Sequence, residues 1–116
     1  MKYLKYFEKI EQGINGKITT LDYSGQGLTE LPKLPSTLIT LYCNNNNLTK
    51  LPKLPSTLKH LKCSHNYNLS ELPILPDSIT ELRCYDTKLP YSNLIEYKKW
   101  LNKEHPEISK SKKFNI

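Results

Sequence analysis

The chain has 116 residues, of which 37% are hydrophobic and 24% charged, and its formal net charge is +6. This length fits a single domain, and the positive charge favours acidic partners without naming one. We expect no transmembrane helix, because no stretch is long and apolar enough, and no signal peptide, because Lys2, Lys5 and Glu8 interrupt the first residues. The three cysteines do not form a secreted-type disulfide framework, so we expect an intracellular, cytoplasmic protein.

Residues 2–12 are predicted to form a short amphipathic helix, within an N-terminal cap that covers residues 1–14. Tyr3, Phe7 and Ile10 recur at helical spacing, with Lys and Glu between them. Because the end of a repeat stack needs a polar cover, we expect this helix to close the first unit. The alternative is a helix lying on a membrane surface, although the segment is short and mixed in charge.

A sequence unit of about 20 residues then recurs four times over residues 18–90. One of its positions is always leucine, at residues Leu21, Leu41, Leu61 and Leu82. The best copy of the internal pattern is Leu38-x-x-Leu41-x-Cys43-x-x-Asn46-x-Leu48. A fixed period of this length predicts a solenoid of stacked units, and the pattern is that of a leucine-rich repeat.

Each unit is predicted to contribute one strand and one extended return leg. The strands should cover about 19–23, 39–43, 59–63 and 80–84 and form a parallel sheet on the concave face. Side chains alternate along a strand, so Leu41 and Cys43 should face the core while Tyr42 faces outwards. The return legs carry L-P-x-L-P at 31–35, 51–55 and 72–76. Proline opposes helix formation, which predicts extended legs on the convex side.

Two further positions of the unit have predicted structural roles. Asn46 and Asn66 are expected to bond backbone groups of their own turn and of the adjacent unit. Gln26 and Thr87 replace asparagine in the outer copies, which should therefore be looser. The second position holds cysteine in three copies, and its inward register predicts buried thiols rather than a nucleophile or a metal site. These residues are Cys43, Cys63 and Cys84.

Residues 92–105 are predicted to form a C-terminal capping helix over the last unit. Asn93 followed by Glu96 resembles a capping box, and Leu94, Tyr97 and Leu101 fall on one helical face. Pro106 is expected to end the helical structure. Residues 106–116 are predicted to be a loose basic tail.

The sequence contains none of the motifs that usually identify an enzyme. It has no glycine-rich phosphate loop, no metalloprotease motif and no nucleophile elbow. We therefore predict no catalytic activity, no cofactor and no metal.

The L-P-x-L-P-x-x-L-x-x-L-x-x-x-x-N unit resembles the short leucine-rich repeats of bacterial type III effectors, and similar repeats occur in proteins of large DNA viruses of protists. The resemblance covers residues 18–90 and implies recognition of a protein target, in the host-cell cytoplasm for an effector or viral protein. Some effectors add a ubiquitin-ligase domain with a Cys-x-Asp signature, which Cys84-Tyr85-Asp86 matches. The repeat register explains Cys84, and no large helical domain follows it, so the resemblance extends to binding alone.

These observations predict a monomeric protein–protein interaction module that binds an unidentified protein through the concave strand face. The predicted contact residues are chosen from the outward positions of the four strands and from the residues that directly follow the second and the fourth predicted strand. They are Asp22, Tyr42, Asn44, His60, Lys62, Glu81, Arg83 and Tyr85. The alternative function is binding of nucleic acid or another acidic partner through the basic residues of this face and the lysine-rich tail.

Overall fold

The computed structural model describes residues 10–12 and 17–111, and these form five strands and two helices. The elements, in chain order, are β1 (Ile10–Gln12), β2 (Ile18–Asp22), β3 (Thr40–Tyr42), β4 (His60–Lys62), β5 (Glu81–Arg83), α1 (Leu94–Glu104) and α2 (Pro106–Ser111). The strands lie in one sheet in the order β1-β2-β3-β4-β5. β2 to β5 run parallel, as predicted, and the chain belongs to the α/β class.

The sequence period sets the register of the parallel strands. The leucine at the centre of each strand pairs with the equivalent leucine of the next strand, in the series Leu21, Leu41, Leu61 and Leu82. All four are at most 2% exposed. A slip of one residue would turn each leucine to the solvent side, so burial of this row holds the register.

The return legs are extended, and no helix occurs in residues 31–36 or 51–56. A hydroxyl at the end of each leg bonds the preceding unit. Thr37 Oγ1 donates to the carbonyl of Ile18 at 2.5 Å, and the same contact recurs from Thr57 to Leu38 at 2.6 Å. Ser78 Oγ repeats it in the last unit. These bonds satisfy carbonyl groups at the start of β2 and just before β3 and β4.

The core lies between the sheet and the return legs. Its side chains come from the strands, the turns and the legs, and most are leucine. The cysteines and Tyr23 complete the layer behind the strands, and Tyr91, Tyr97 and Leu101 extend it at the C-terminal end. Burial of apolar surface of this kind contributes roughly 25 cal/mol per Å².

Both edges of the parallel sheet are covered by an antiparallel segment. At one edge β1 pairs with β2, with Ile10 opposite Leu21. At the other, Asn93 bridges to Arg83, and the N–H of Cys84 donates to the carbonyl of Ser92 at 3.0 Å. Each segment occupies backbone groups that an open edge would offer to another chain.

The strand β1 corrects the prediction of a helix over residues 2–12. Apolar residues at helical spacing suggested that helix, but residues 10–12 pair with the β2 edge, where unpaired N–H and C=O groups favour an extended segment. The rest of the predicted cap, at residues 1–9 and 13–14, lies outside the described residues.

The helix α1 confirms the helix predicted over residues 92–105. Asn93 Oδ1 accepts the N–H of Glu96 at 2.9 Å, and the Glu96 carboxylate accepts both the N–H and the hydroxyl of Ser92 at 2.8 Å. The Tyr97 hydroxyl accepts the N–H of Leu75 at 3.1 Å, which ties the helix to the last return leg. Tyr97 also packs edge-on against Tyr91, with ring centroids 5.0 Å apart.

The helix α2 corrects the prediction that Pro106 ends the helical structure. Pro106 is instead the first residue of a second helix, six residues long. Proline suits the first position of a helix, because its fixed φ is already helical and its missing N–H has no partner there anyway. Residues 112–116 of the predicted tail lie outside the described residues. Neither helix has the length and apolarity to cross a membrane.

Candidate functional site

The candidate site is the strand face, which we define as the outward side chains of β2 to β5 with Asn44 and Tyr85, which lie two residues beyond the ends of β3 and β5. Strand alternation places these side chains opposite the buried leucines. Two rows cross the four strands in register. The first row is Thr20, Thr40, His60 and Glu81, and the second is Asp22, Tyr42, Lys62 and Arg83. Arg83 is exposed and the other seven are half-buried.

A carboxylate at the C-terminal end of this face gathers three basic side chains. Glu81 lies 3.2 Å from Arg83 Nε and 3.9 Å from Lys62 Nζ. His60 Nδ1 lies 3.5 Å from Glu81 Oε1, a separation at which it forms an ion pair only when the ring is protonated. The Nδ1 atom is buried and has no hydrogen bond otherwise. The sequence placed these residues on one face but did not predict that Glu81 holds them together.

Tyr42 and Asp22 occupy the other half of the second row. Lys62 Nζ lies 5.3 Å from the centre of the Tyr42 ring, a cation–π distance. Asp22 Oδ1 accepts the N–H of Ser24 at 2.9 Å. In the part of the chain that the structure describes, Asp22 has no basic partner.

Asn44, Ser64 and Tyr85 each lie two residues beyond a strand, after β3, β4 and β5 in turn. Asn44 Oδ1 accepts the N–H of Ser64 at 2.8 Å, and Ser64 Oγ accepts the N–H of Tyr85 at 2.9 Å. Ser64 is buried. Because their oxygens bond backbone groups, Asn44 and Ser64 hold the rim of the face in place. Tyr85 is 47% exposed and is available for contact.

Asparagine side chains fix the backbone below this rim, as the sequence predicted. Asn46 Oδ1 accepts the N–H groups of Gln26 and Leu28, and its Nδ2 donates to the Tyr23 carbonyl at 2.9 Å. Asn66 repeats the arrangement one unit later. Its Oδ1 accepts the N–H of Leu48 at 3.1 Å, and its Nδ2 donates to the carbonyls of Cys43 and Cys63 at 3.0 Å. Each asparagine therefore joins two consecutive units.

A left-handed residue occurs at the same point of every unit and escaped the sequence analysis. The four positions are Gly25, Asn45, His65 and Asp86, with φ between 54° and 67°. Glycine, asparagine, aspartate and histidine are the residues found most often in this region. Their recurrence at the repeat period was the signal that could have identified the turn. His65 Nδ1 also lies 2.9 Å from Asp86 Oδ2, so two of these turns contact each other.

The cysteines lie behind the strand face, and their predicted burial is confirmed. Cys43, Cys63 and Cys84 are free thiols and at most 1% exposed. Burial raises the pKa of the Cys43 thiol to about 12. The hydrogen bond with Cys84, together with burial, raises the pKa of Cys63 well above its usual range. A thiol that is buried and protonated is a poor nucleophile.

Open grooves also lie outside the strand face. One, of about 490 Å³, crosses the return legs between Lys33, Lys53 and Ile74. Another, of about 710 Å³, follows the N-terminal ends of the strands and includes Lys17, Ile39 and Lys59. Much of the second groove is lined by threonine and serine, and the hydroxyls of Thr37, Thr57 and Ser78 bond backbone carbonyls.

Within residues 17–110, no three His, Cys, Asp or Glu side chains are placed to hold a metal ion.

Of the eight predicted site residues, the structure brings five into one contiguous cluster: Tyr42, His60, Lys62, Glu81 and Arg83. Asp22 lies beside Tyr42 in the register, whereas Asn44 and Tyr85 lie beyond the strand ends.

Comparison with protein-family models, with curated proteins and with solved structures gives no significant match.

Proposed function

We propose that the chain is a short leucine-rich-repeat solenoid and works as a monomeric, non-catalytic module that binds a protein partner in the cytoplasm through its strand face. The repeat assignment is supported by two observations. The parallel strands are in register at the sequence period, and Asn46 and Asn66 make the same bonds between units. Such scaffolds present extended surfaces to their partners.

The observation that carries the proposal is the alignment of the second row across the strands. Tyr42, Lys62 and Arg83 stand side by side on neighbouring strands. Tyrosine offers a large contact area at a low entropy cost, and arginine offers a planar fork for carboxylates. Both are enriched at binding hot spots.

The backbone below this row is held firmly, which favours binding further. The rim bonds of Asn44 and Ser64 fix the positions that follow the strands. The bonds of Asn46 and Asn66 fix the turns beneath them. A surface that is already ordered loses less entropy when a partner binds.

The test is affinity capture of a partner followed by mutation of the row. Tyr42→Ala, Lys62→Ala and Arg83→Ala should each be measured for affinity and for melting temperature. At least one should lose more than about 1 kcal/mol of binding while the protein stays folded. Lys33→Ala and Lys53→Ala on the return legs are the matched controls. If the controls weaken binding and the row variants do not, the partner uses another surface.

A second candidate is nucleic-acid binding, which the net charge of +6 favours. Within the strand face, however, Glu81 partly neutralises Lys62 and Arg83, and Asp22 adds a further negative charge. Retention on a heparin column across a salt series separates the two functions. Strong retention that falls steeply with salt and is lost with Lys62→Ala or Arg83→Ala would favour nucleic acid.

A further inference from the structure

We infer that the strand face binds an extended protein segment that crosses the strands and carries a basic side chain at the β2 end and an acidic side chain at the β4–β5 end. This inference rests on the proposed binding function of the same face and specifies the partner's chemistry. It follows from the sign and the spacing of the charges in the second row.

The two ends of the row differ in sign. At the β2 end, the Asp22 carboxylate accepts a backbone N–H and has no basic partner among the described residues. At the other end, Lys62 and Arg83 share the single carboxylate of Glu81. The strands therefore carry one positive charge in excess there, with His60 adding a second when protonated. The nearby Asp86 carboxylate lies on the turn beyond β5 and is in contact with His65.

The register fixes the distance between the two ends. Neighbouring strands lie about 4.8 Å apart, so Asp22 is about 10 Å from Lys62 and about 14 Å from Arg83 along the row. An extended segment advances about 3.3 Å per residue. Side chains of an extended segment alternate between its two faces, so the complementary basic and acidic residues of the partner should be about four positions apart. The separations of about 10 and 14 Å exceed the Debye length of about 8 Å at physiological salt, so each end attracts its own counterpart.

The middle of the row suits an apolar side chain. Tyr42 lies between the two charged ends and presents its ring beside Lys62. The contact of Arg83 with Glu81 is made by Nε, at 3.2 Å. A guanidinium has five N–H donors, so the outer nitrogens can donate to a partner carboxylate in a two-point contact. A phosphate backbone fits less well, because Asp22 and Glu81 would repel it.

The experiment selects binders from a yeast-displayed library of random 12-residue peptides, with the full chain as bait. Enriched peptides are then titrated against the unchanged chain, Tyr42→Ala, Asp22→Lys, Arg83→Glu and the control Lys33→Glu. We expect enriched peptides to carry Lys or Arg about four positions from Asp or Glu, with an apolar residue between. Asp22→Lys and Arg83→Glu should each weaken binding about tenfold or more, and Lys33→Glu should leave it unchanged.

The charge-reversed double variant, Asp22→Lys with Arg83→Glu, gives the sharpest test. Selected peptides whose basic and acidic residues are exchanged should bind it better than the original peptides do. The selected peptides could lose affinity for Tyr42→Ala and yet lack the charge pattern, or keep their affinity for both Asp22→Lys and Arg83→Glu. Either result would overturn this inference and leave the proposed function standing. Peptides that bind equally well to every strand-face variant, or no enrichment at all, would overturn both.

Discussion

The inner units of the molecule are joined by an asparagine side chain at the turn, whereas the last unit has a threonine there that makes no such bond among the described residues. Asn66 bonds a backbone N–H at Leu48 and a carbonyl at Cys43, both in the preceding unit. Thr87 occupies the equivalent position one unit later, and its hydroxyl bonds only Cys84 and Leu89 of its own unit. The last unit is held to its neighbour by the Ser78 hydroxyl, and to α1 by Tyr97 and the segment that pairs with β5. A unit can thus be closed either by its successor or by a helix.

The largest effect is expected from removing an inner asparagine. Asn66→Ala should lower the free energy of unfolding by about 3 kcal/mol, because it leaves buried N–H and C=O groups without partners. Thr87→Ala should cost about 1 kcal/mol, since its bonds are local and partly exposed. Urea denaturation of both variants measures the difference. Equal losses would contradict the distinction between inner and last units.

The next effect should come from the helix that closes the last unit. Tyr97→Phe removes the hydroxyl that accepts the N–H of Leu75 in a buried position. We expect a loss of about 1.5 kcal/mol in unfolding free energy. Tyr67→Phe is the control, because Tyr67 is 67% exposed and should change stability by less than about 0.5 kcal/mol. If the two variants melt at the same temperature, the hydroxyl of Tyr97 does not secure the leg.

The cysteines can report which unit opens first. Cys43 and Cys63 lie in units joined by asparagine, and Cys84 lies in the last unit. Their burial predicts slow labelling in the folded protein, and complete labelling in denaturant. We expect Cys84 to be labelled first under native conditions, because the last unit can open locally. Mass spectrometry of the labelled peptides gives the order, and earlier labelling of Cys43 would reverse our ranking.

Cysteine replacement should have a smaller effect than loss of an asparagine. Cys63→Ala removes little apolar volume, so we expect a cost of about 1 kcal/mol. Thermal melting beside Asn66→Ala measures it. A loss of stability as large as that of Asn66→Ala would show that the Cys63 thiol stabilises the fold by more than its packing.

The smallest effect should be a pH dependence at the start of α1. Hydrogen bonds from the Ser92 hydroxyl and N–H lower the pKa of Glu96. A lowered pKa in the folded state stabilises the fold above the unfolded-state value of about 4.3, and this contribution is lost as the pH falls through the folded-state pKa. Glu96→Gln should therefore flatten the decline in melting temperature on acidification. Parallel curves for the two proteins would show that this carboxylate does not contribute.

The sequence predicted the parts of this structure that depend on repetition. A leucine that recurs four times and a cysteine that recurs three times in one register can be assigned without coordinates, as can the asparagine of the two inner turns. The wrong predictions lie outside the repeated segment, where there are no copies to compare. Ile10 has a helical pattern but pairs with an edge strand, and Pro106 starts a helix where it was expected to prevent one. The edge of β2 decided the first outcome, and the preference of proline for the first helical position explains the second.

The candidate site was predictable in outline and not in its contacts. Alternation along each strand identified which side chains share the strand face. It could not show that Glu81 gathers His60, Lys62 and Arg83, because side-chain rotamers decide which charges meet. Nor could it show that Ser64 is buried, since that depends on the Tyr85 N–H lying within reach of its hydroxyl.

The antiparallel segments at both edges of the sheet have a consequence for how the protein could change in length. A tandem duplication of residues 44–63 would insert one more strand between existing ones and leave both covered edges intact. The sheet would widen by about 4.8 Å, and the added asparagine would join the new neighbours. The sheet can therefore gain a duplicated unit in its interior. A unit added at either edge would first have to displace the antiparallel segment that pairs with β2 or β5. Small-angle scattering and thermal melting of such a duplicated chain would show whether it stays folded and lengthens by one step.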